Sequence, residues 1–415
     1  MTINAQTFVS ALTLTAVLHL ILLATAYLIM LERKLSSWIQ DRVGPNRVGF
    51  TLGFFDADRP RHFGLAQPIA DGIKFLLKED YNPRPVERAL FFAAPVFAVV
   101  PAMIGWAVVP WGGFVEIGGF SLFGLLTVEA GRAAITVADL NVGVIYILAI
   151  GSLGVYGVVV GAWASNNKYA FFGGLRGTAQ MLSYEIPMGI CVLCILLLAG
   201  SARTMDIVVG QLDNVWWIVQ QPLAAVLFFT CVLAETNRAP FDLPEAESEL
   251  VGGYHTEYSS MKFALFFLGE YMHMITGAAF FTLLFLGGWH LPFMYTIFDG
   301  LGVAEDGVLA ALLKFGVFFG KVILLLAVMM WIRWTLPRFR FDQLMRLAWR
   351  SMIPISLALL LMTGVFVFAG LRHWVWLGNV ALFGATLVLA PFVPEGKPVN
   401  RRIPLRGSRF SPTAE

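Results

Sequence analysis

The sequence predicts an all-α polytopic membrane protein, and three observations carry that prediction. Of the 415 residues, 58% are hydrophobic and only 13% are charged, whereas soluble domains carry about 25% charged residues. The apolar residues form continuous runs near the ~20 residues needed to cross a bilayer, not the ~10-residue alternating segments of a β-barrel. Finally, lysine and arginine are concentrated in only some of the segments between these runs.

Eight core transmembrane helices are predicted, with a ninth at the C-terminal end. The first run lacks a basic segment before it and a small-residue cleavage site after it, so we expect a retained helix rather than a signal peptide. The predicted domains are a membrane domain over 1–371, an extra transmembrane helix within 372–393 and a basic cytoplasmic tail over 394–415. The predicted spans are 9–31, 89–110, 140–163, 181–200, 218–234, 262–287, 309–334, 352–371 and 374–393.

An amphipathic helix is predicted after the first span, within Leu65–Lys78. Its apolar residues recur at helical spacing while its charged residues take other positions. The segment is too short and too charged to span, so we expect it to lie in the membrane interface. The apolar positions are Ile69, Ile73, Leu76 and Leu77, and the charged ones are Asp71, Lys74 and Lys78.

The basic residues predict the orientation. They are dense in 32–88, in 333–350 and after 394, while the loops on the other side hold only Arg132, Arg203 and Arg372. Because cytoplasmic loops are enriched in lysine and arginine, the N-terminus is predicted outside. Nine spans then place the basic tail in the cytoplasm, whereas eight would place it outside.

The most unusual segment is the acidic loop, Glu235–Glu257, between the fifth and sixth predicted spans. Charge near lipid is costly, so a dense group of carboxylates at a membrane face indicates proton or ion handling, or docking to a partner. Its acids are Glu235, Asp242, Glu245, Glu247, Glu249 and Glu257.

Charged residues also occur inside predicted spans. Glu185 is placed one turn into the fourth span, before Pro187, and Glu270 lies inside the sixth; both are candidates for proton transfer. Lys321 in the seventh span is too deep to reach the interface and is predicted to pair with an acid. At the end of the first span, Glu32 and its basic neighbours either anchor the helix at the headgroups or have a functional role. Histidines within the spans, such as His273, are interpreted as packing residues.

The sequence lacks the motifs that would indicate nucleotide, phosphate or metal binding. There is no glycine-rich nucleotide motif, no phosphate-binding loop and no cysteine or histidine cluster with ligand spacing. Cys191 and Cys194 lie in a wholly apolar run and are interpreted as packing residues. If the protein takes part in redox chemistry, another chain supplies the electrons.

A series of longer motifs resembles one family: the H subunit, also called subunit 1, of respiratory NADH–quinone oxidoreductase, complex I. The similarity covers residues from about 30 to 350. The motifs are Leu31–Lys34, Arg42–Gly49, Gln67–Asp71, Lys78–Asp80, Ala138–Gly143, Ser165–Tyr169, Ala179–Glu185, Glu235–Tyr258, Lys262, Gly269–Tyr271 and Leu336–Gln343.

This resemblance implies a membrane subunit that forms a quinone chamber and couples quinone reduction to proton translocation in a bacterial inner membrane. It implies quinone as substrate, no covalently bound cofactor, and flavin and iron–sulfur clusters on partner subunits. The implied partners are the subunits of the hydrophilic arm and of the proton-pumping membrane arm, with membrane lipid and without nucleic acid. The implied chamber residues are Glu32, Arg33, Arg42 and Arg338; the implied proton-coupling residues are Asp71, Glu185, Glu235, Asp242, Glu245, Glu247, Glu249, Glu257 and Glu270.

Two departures and three alternatives remain open. The family usually has eight spans, so the extension 372–415 is additional, and 54–63 resembles a small charged insertion. The membrane subunit of an energy-converting hydrogenase or a related dehydrogenase would share these motifs. A stand-alone ion antiporter would require an inverted repeat, which is not evident. A purely structural anchor would not require acids within its spans.

Overall fold

The computed structural model describes residues 2–46, 48, 64–122, 126–212, 215–292, 294–301 and 303–389. The helices are α1 (Ala5–Ile39), α2 (Gln67–Leu77), α3 (Arg88–Ile104), α4 (Gly143–Leu153), α5 (Val155–Ala164), α6 (Lys168–Ala199), α7 (Thr204–Val209), α8 (Trp217–Gln220), α9 (Pro222–Glu235), α10 (Glu247–Leu250), α11 (Ser260–Phe285), α12 (Met294–Leu301), α13 (Val308–Thr335), α14 (Phe341–Arg346), α15 (Ile353–Phe368) and α16 (Val375–Leu389). The strands are β1 (Thr2–Ile3), β2 (Phe114–Ile117), β3 (Phe120–Leu122), β4 (Leu126–Val128) and β5 (Gly131–Ala134).

The protein is a mostly helical, multi-pass membrane protein, as its fold class predicted. Within the described residues, seven helical stretches are long and apolar enough to cross a membrane. They correspond to seven of the nine predicted runs. The stretches are Ala5–Ile39, Arg88–Val108, Gly143–Ala164, Lys168–Ala199, Ser260–Phe285, Val308–Thr335 and Phe341–Phe368.

The other two predicted spans are shorter in the structure. The run 218–234 is interrupted at Gln221, which separates α8 from the 14-residue α9. A helix of that length rises about 21 Å, less than the ~30 Å hydrocarbon core. Helix α16 has 15 residues; the end of the predicted ninth span, the tail 394–415 and the insertion 54–63 lie outside the described residues. The number of core spans therefore stays a prediction.

One predicted boundary was wrong by more than three helical turns. Helix α6 begins at Lys168 rather than near 181, so Glu185 lies at its middle and not one turn from its start. The extra turns pass beneath the acidic loop, where a Cβ on Gly173 would lie 2.7 Å from the Pro244 carbonyl oxygen. Close packing of loop on helix thus outweighs the poor helix propensity of the glycines in this segment.

Within the described residues, five short strands form beside the helices, which the predicted all-α class did not include. They form one sheet in the order β1–β4–β3 and a two-stranded antiparallel sheet of β2 and β5. In the second sheet Glu116 is opposite Arg132, and Arg132 forms a 2.8 Å ion pair with Asp306 in the loop before α13. The sheets thus connect the start of α1 with loops between later helices.

Helix α11 is central to the architecture because it packs against α1, α3, α9 and α13. The core around it mixes aliphatic and aromatic side chains, with Phe228 and Phe285 fully buried. Cys191 and Cys194 are fully buried thiols in the same core. This packing fixes the depth at which α11 presents its polar residues to its neighbours.

The predicted amphipathic segment forms α2, whose residues are all at least partly exposed. Two contacts attach it to the spans on either side. Arg33 at the end of α1 forms a 2.8 Å ion pair with Asp71, and the Ser260 hydroxyl donates a 2.8 Å hydrogen bond to the Phe75 carbonyl. Helix α2 therefore lies beside the ends of α1 and α11 that meet the acidic loop.

Candidate functional site

The acidic loop is folded tightly onto α6. The side-chain amide of Gln180, which is fully buried, donates hydrogen bonds of 2.7 Å to the carbonyls of Ala234 and Phe241. On its other side, the Phe339 N–H donates a 3.0 Å hydrogen bond to the Pro240 carbonyl. Because these bonds hold the backbone, the loop side chains project from fixed positions.

Arg238 lies at the centre of the site and joins two spans. Its guanidinium forms ion pairs with Glu32 of α1, at 3.4 Å, and with Glu270 of α11, at 2.5 Å. It also lies over the Tyr271 ring, 4.2 Å from the centroid. Glu32 additionally accepts hydrogen bonds from the Tyr271 hydroxyl, at 2.5 Å, and from Arg333 of α13. Three membrane helices and the loop thus meet at one buried set of charges.

Glu270 makes this ion pair without an aligned hydrogen bond. Its two carboxylate oxygens are buried, and no described residue donates a hydrogen bond to them. The side chain lines a cavity of about 40 Å³ that is shared with Glu235, Asn237 and Tyr254. A water molecule needs ~10–15 Å³ of such volume, so the cavity has room for two or three waters beside both carboxylates.

Asp242 extends the charged set toward the loop surface. One carboxylate oxygen accepts a 2.6 Å hydrogen bond from Arg338, while the other is buried without a partner among the described residues. Burial raises the pKa of Asp242, and the nearby Arg338 and Arg333 oppose that rise. The carboxylate is therefore balanced between desolvation and charge pairing.

Glu245 and His255 are in contact, and burial disfavours the charged form of each. Burial, reinforced by Glu270 and Asp242, raises the pKa of Glu245 well above its usual value. Burial lowers the pKa of His255 to about 4. The 3.6 Å approach of the His255 ring to the Glu245 carboxyl group has the geometry of an ion pair, but burial opposes the charges that an ion pair requires.

We call these residues the acid–arginine cluster. It holds four acids and three guanidinium groups, so its net charge depends on how many of the acids carry a proton. The members are Glu32, Asp242, Glu245, Glu270, Arg238, Arg333 and Arg338.

The remaining predicted residues lie apart from the cluster. Glu235 borders the small cavity, and Glu185 of α6 is close enough to Glu235 for their charges to repel. Arg42 is exposed and bonds to Gln40. Four acids occupy the surface of the site: Asp71 pairs with Arg33, Glu249 with Arg176, Glu257 accepts a hydrogen bond from Asn167, and Glu247 is exposed. The roles assigned to all these residues stay predictions.

Sequence reasoning missed Arg238, Arg333 and Tyr271, which hold the cluster together. A charge-balance argument could have found the arginines, since several buried acids require nearby cations. The prediction that Lys321 pairs with an acid was wrong. Its ammonium group instead donates hydrogen bonds to the carbonyls of Leu286, Gly288 and His290.

An apolar cavity of about 510 Å³ lies between α1, α11 and α13, within the ~300–1,000 Å³ typical of ligand sites. Leu31 and Lys34 form part of its wall, and Glu32 lies between them in the sequence. A more polar groove of about 550 Å³ near Glu87 and Lys168 contains none of the predicted site residues. Of these two large cavities, the apolar one therefore adjoins the acid–arginine cluster.

Known proteins are similar to this chain over most of its length. The NADH dehydrogenase family matches residues 12–364. The first of the NADH-quinone oxidoreductase H subunits of Cytophaga hutchinsonii is 43% identical over 353 residues, 85% of this chain and 95% of the relative. The second such H subunit of Geobacter metallireducens is 44% identical over 84% of this chain and 92% of the relative. The corresponding H subunit of Protochlamydia amoebophila is 45% identical over 83% and 93%. The chain belongs to the NADH dehydrogenase family that includes these H subunits.

Proposed function

We propose that this chain is the quinone-binding, proton-coupling membrane subunit of a proton-translocating NADH–quinone oxidoreductase. One observation carries the proposal: the apolar cavity and the acid–arginine cluster meet at the same turn of α1. Leu31 and Lys34 line the cavity, while Glu32 binds Arg333 and, through Arg238, connects with Glu270. A lipid-soluble carrier in the cavity would thus change charge beside ionisable groups that reach into the membrane.

The electrons are supplied by flavin and iron–sulfur clusters on partner subunits of the hydrophilic arm. This chain contributes the apolar walls that hold the quinone tail and the charges that respond to reduction. A unit charge that appears about 6 Å away in surroundings of effective dielectric ~20 changes the local energy by about 3 kcal/mol. That change equals about two pKa units.

The response begins at Arg238, because the same guanidinium neutralises Glu32 and Glu270. If Glu32 takes up a proton when the carrier is reduced, Arg238 becomes available to Glu270 alone, and Glu270 then holds its own proton less strongly. Water in the small cavity can receive that proton and pass it to Glu235. The buried acids Asp242 and Glu245 of the acidic loop, together with Glu185 of α6, would extend this path toward the proton-pumping subunits of the membrane arm.

The membrane arrangement is part of the proposal. The distribution of basic residues supports an N-terminus outside and a C-terminus inside the bacterial inner membrane. The apolar residues of α2, exposed by 48–81% at Ile69, Ile73, Leu76 and Leu77, support its placement in the membrane interface. We also propose that the described segment α16 belongs to a ninth transmembrane helix.

Two substitutions in the assembled complex test the function: Glu32→Gln and Glu270→Gln. The measurements are NADH-dependent quinone reduction and proton uptake in proteoliposomes. We expect each to fall at least tenfold, a loss of about 1.4 kcal/mol or more. The matched control is Glu249→Gln, an acid of the acidic loop that lies outside this path, is exposed by 48% and is paired with Arg176 at the surface.

A photoreactive quinone provides a second readout that is independent of activity. We expect it to label α1 or α13 at the residues of the apolar cavity. Full activity and pumping in both glutamine variants would contradict the proposed coupling. A purified assembly that does not oxidise NADH would contradict the assignment to this enzyme and favour the hydrogenase-like alternative.

A further inference from the structure

A second small cavity continues beyond Glu235, on the side of the site away from Arg238. Its volume is about 30 Å³, enough for about two water molecules. Helices α4, α6, α9 and α11 form its wall, which includes Met188 and Thr276. Glu235 and His273 line both this cavity and the one that contains Glu270.

The chain is shaped to bring these two side chains close to the backbone between α4 and α5. A Cβ on Gly154, the residue between the two helices, would lie 2.7 Å from His273 Nε2. A Cβ on Gly151 would lie 3.2 Å from Glu235 Oε1. At position 154 only glycine leaves space for the His273 imidazole. The break between α4 and α5, inside the predicted third span, therefore accommodates this polar ring.

A hydrogen bond to the backbone of α3 orients the His273 ring. The ring forms a hydrogen bond with the carbonyl of Ala98 on α3. A neutral imidazole has one N–H donor and one acceptor nitrogen, so the nitrogen that does not bond to Ala98 can accept a proton. The other titratable groups that line the two cavities are Glu235, Glu270 and Tyr254.

We propose that His273 is a proton-carrying residue that connects the Glu270 cavity with the cavity between α4, α6, α9 and α11. A proton that leaves Glu270 through water adds to the free ring nitrogen and gives an imidazolium ion. Loss of that proton to water in the second cavity restores the neutral ring. Only N–H and O–H bonds form and break, and no electrons move. This inference rests on the proposed function and extends its proton path by one residue.

The decisive variant is His273→Asn in the assembled complex. Asparagine retains a donor for the Ala98 carbonyl but cannot carry a proton at neutral pH. We expect NADH-dependent quinone reduction coupled to proton uptake to fall at least about tenfold, since proton transfer by a positioned side chain contributes ~10²–10⁴-fold. The solvent deuterium isotope effect on that rate should rise in the variant, because a slowed proton transfer then limits turnover.

His19 provides the matched control. It is also a histidine in a membrane helix that bonds to a backbone carbonyl, that of Thr15 at 2.8 Å, but it is exposed on α1 and lines neither cavity. We expect His19→Asn to have the wild-type rate at every pH. A second variant, His273→Gln, checks that the loss does not depend on one replacement side chain.

The outcomes separate this inference from the proposed function. Wild-type rates in His273→Asn, or a loss with an unchanged solvent deuterium isotope effect, would overturn the role of His273 as a proton carrier. If His273→Asn keeps the wild-type rate while Glu270→Gln loses activity in the same preparations, the proposed function stands and this inference fails. If Glu32→Gln and Glu270→Gln are both fully active, the proposed function itself fails.

Discussion

Two cation sites lie along α11, and they differ in their partners. About three turns into the helix, Arg238 is neutralised by the carboxylates of Glu32 and Glu270. Just beyond its last turn, Lys321 of α13 donates to three backbone carbonyls at 2.5–3.0 Å and lies 4.4 Å from the centre of the Trp216 ring. One cation has partners that can take up protons, and the other has partners that cannot.

This difference indicates which of the two cation sites can respond to a nearby change of charge through its partners. Carbonyl dipoles keep their strength at every physiological pH, so the Lys321 site is a static connection between α13 and the turn after α11. Carboxylates lose their attraction for Arg238 when they are protonated. The Arg238 site is therefore the one whose partners could convert a change of charge into movement of protons.

The largest expected effect comes from removing the central cation. Arg238→Met leaves Glu32 and Glu270 buried without their shared partner, and breaking a buried ion pair from one side costs ~3–5 kcal/mol. We expect less assembled complex and a lower thermal midpoint, measured by native electrophoresis and calorimetry.

Arg338→Met is the matched control for Arg238→Met. Arg338 is 32% exposed and pairs with the single carboxylate of Asp242, so its loss should cost less. If the two variants were equally stable, the central position of Arg238 would have no special energetic weight.

The second effect is a dependence of stability on pH. The folded-state pKa of His255 is about 4, below its usual 6.5, so the unfolded chain binds a proton that the folded chain excludes between those values. Stability therefore falls as the pH drops, by about 2 kcal/mol from pH 7.5 to pH 5. We expect His255→Gln to reduce this loss in thermal unfolding measured across that range.

The outcome that contradicts this expectation is an unchanged pH dependence in His255→Gln.

The third effect concerns the Lys321 site. Lys321→Met leaves three carbonyls without their donor, and unsatisfied buried polar groups cost ~1–3 kcal/mol. We expect a lower thermal midpoint with little change in quinone reduction by the enzyme that remains folded. Lys314→Met is the control, because Lys314 bonds to the one carbonyl of Glu305 and should cost less. A specific loss of proton uptake in Lys321→Met would show that this site is also part of the coupling.

The smallest effect belongs to the surface of the acidic loop. The Arg176–Glu249 pair is 29% and 48% exposed, and such surface pairs contribute ~0–1 kcal/mol. We expect Glu249→Ala to change the thermal midpoint and the quinone reductase rate by little. A large change in rate would place Glu249 in the functional set despite its exposure.

Much of the fold could be predicted because membrane spans are encoded locally. A continuous apolar run must form a helix that satisfies its own backbone groups in lipid, and seven such runs are long helices in the structure. The helix α2 was predictable from its periodicity. The early start of α6 was not, because packing of the acidic loop on Gly173 stabilises turns in which glycines and an arginine interrupt the apolar run.

By itself, the sequence determined the fold class and the family, since these depend on composition and on local motifs, and it indicated candidate acids whose roles stay predictions. Only the tertiary structure decided which acids share a cation. Glu32 and Glu270 are 238 residues apart in the chain and meet through Arg238. Likewise, only the structure showed that Lys321 binds carbonyls and that His273 lies between two cavities. The physical reason is that electrostatic energy depends on distance and burial, and helix packing sets both.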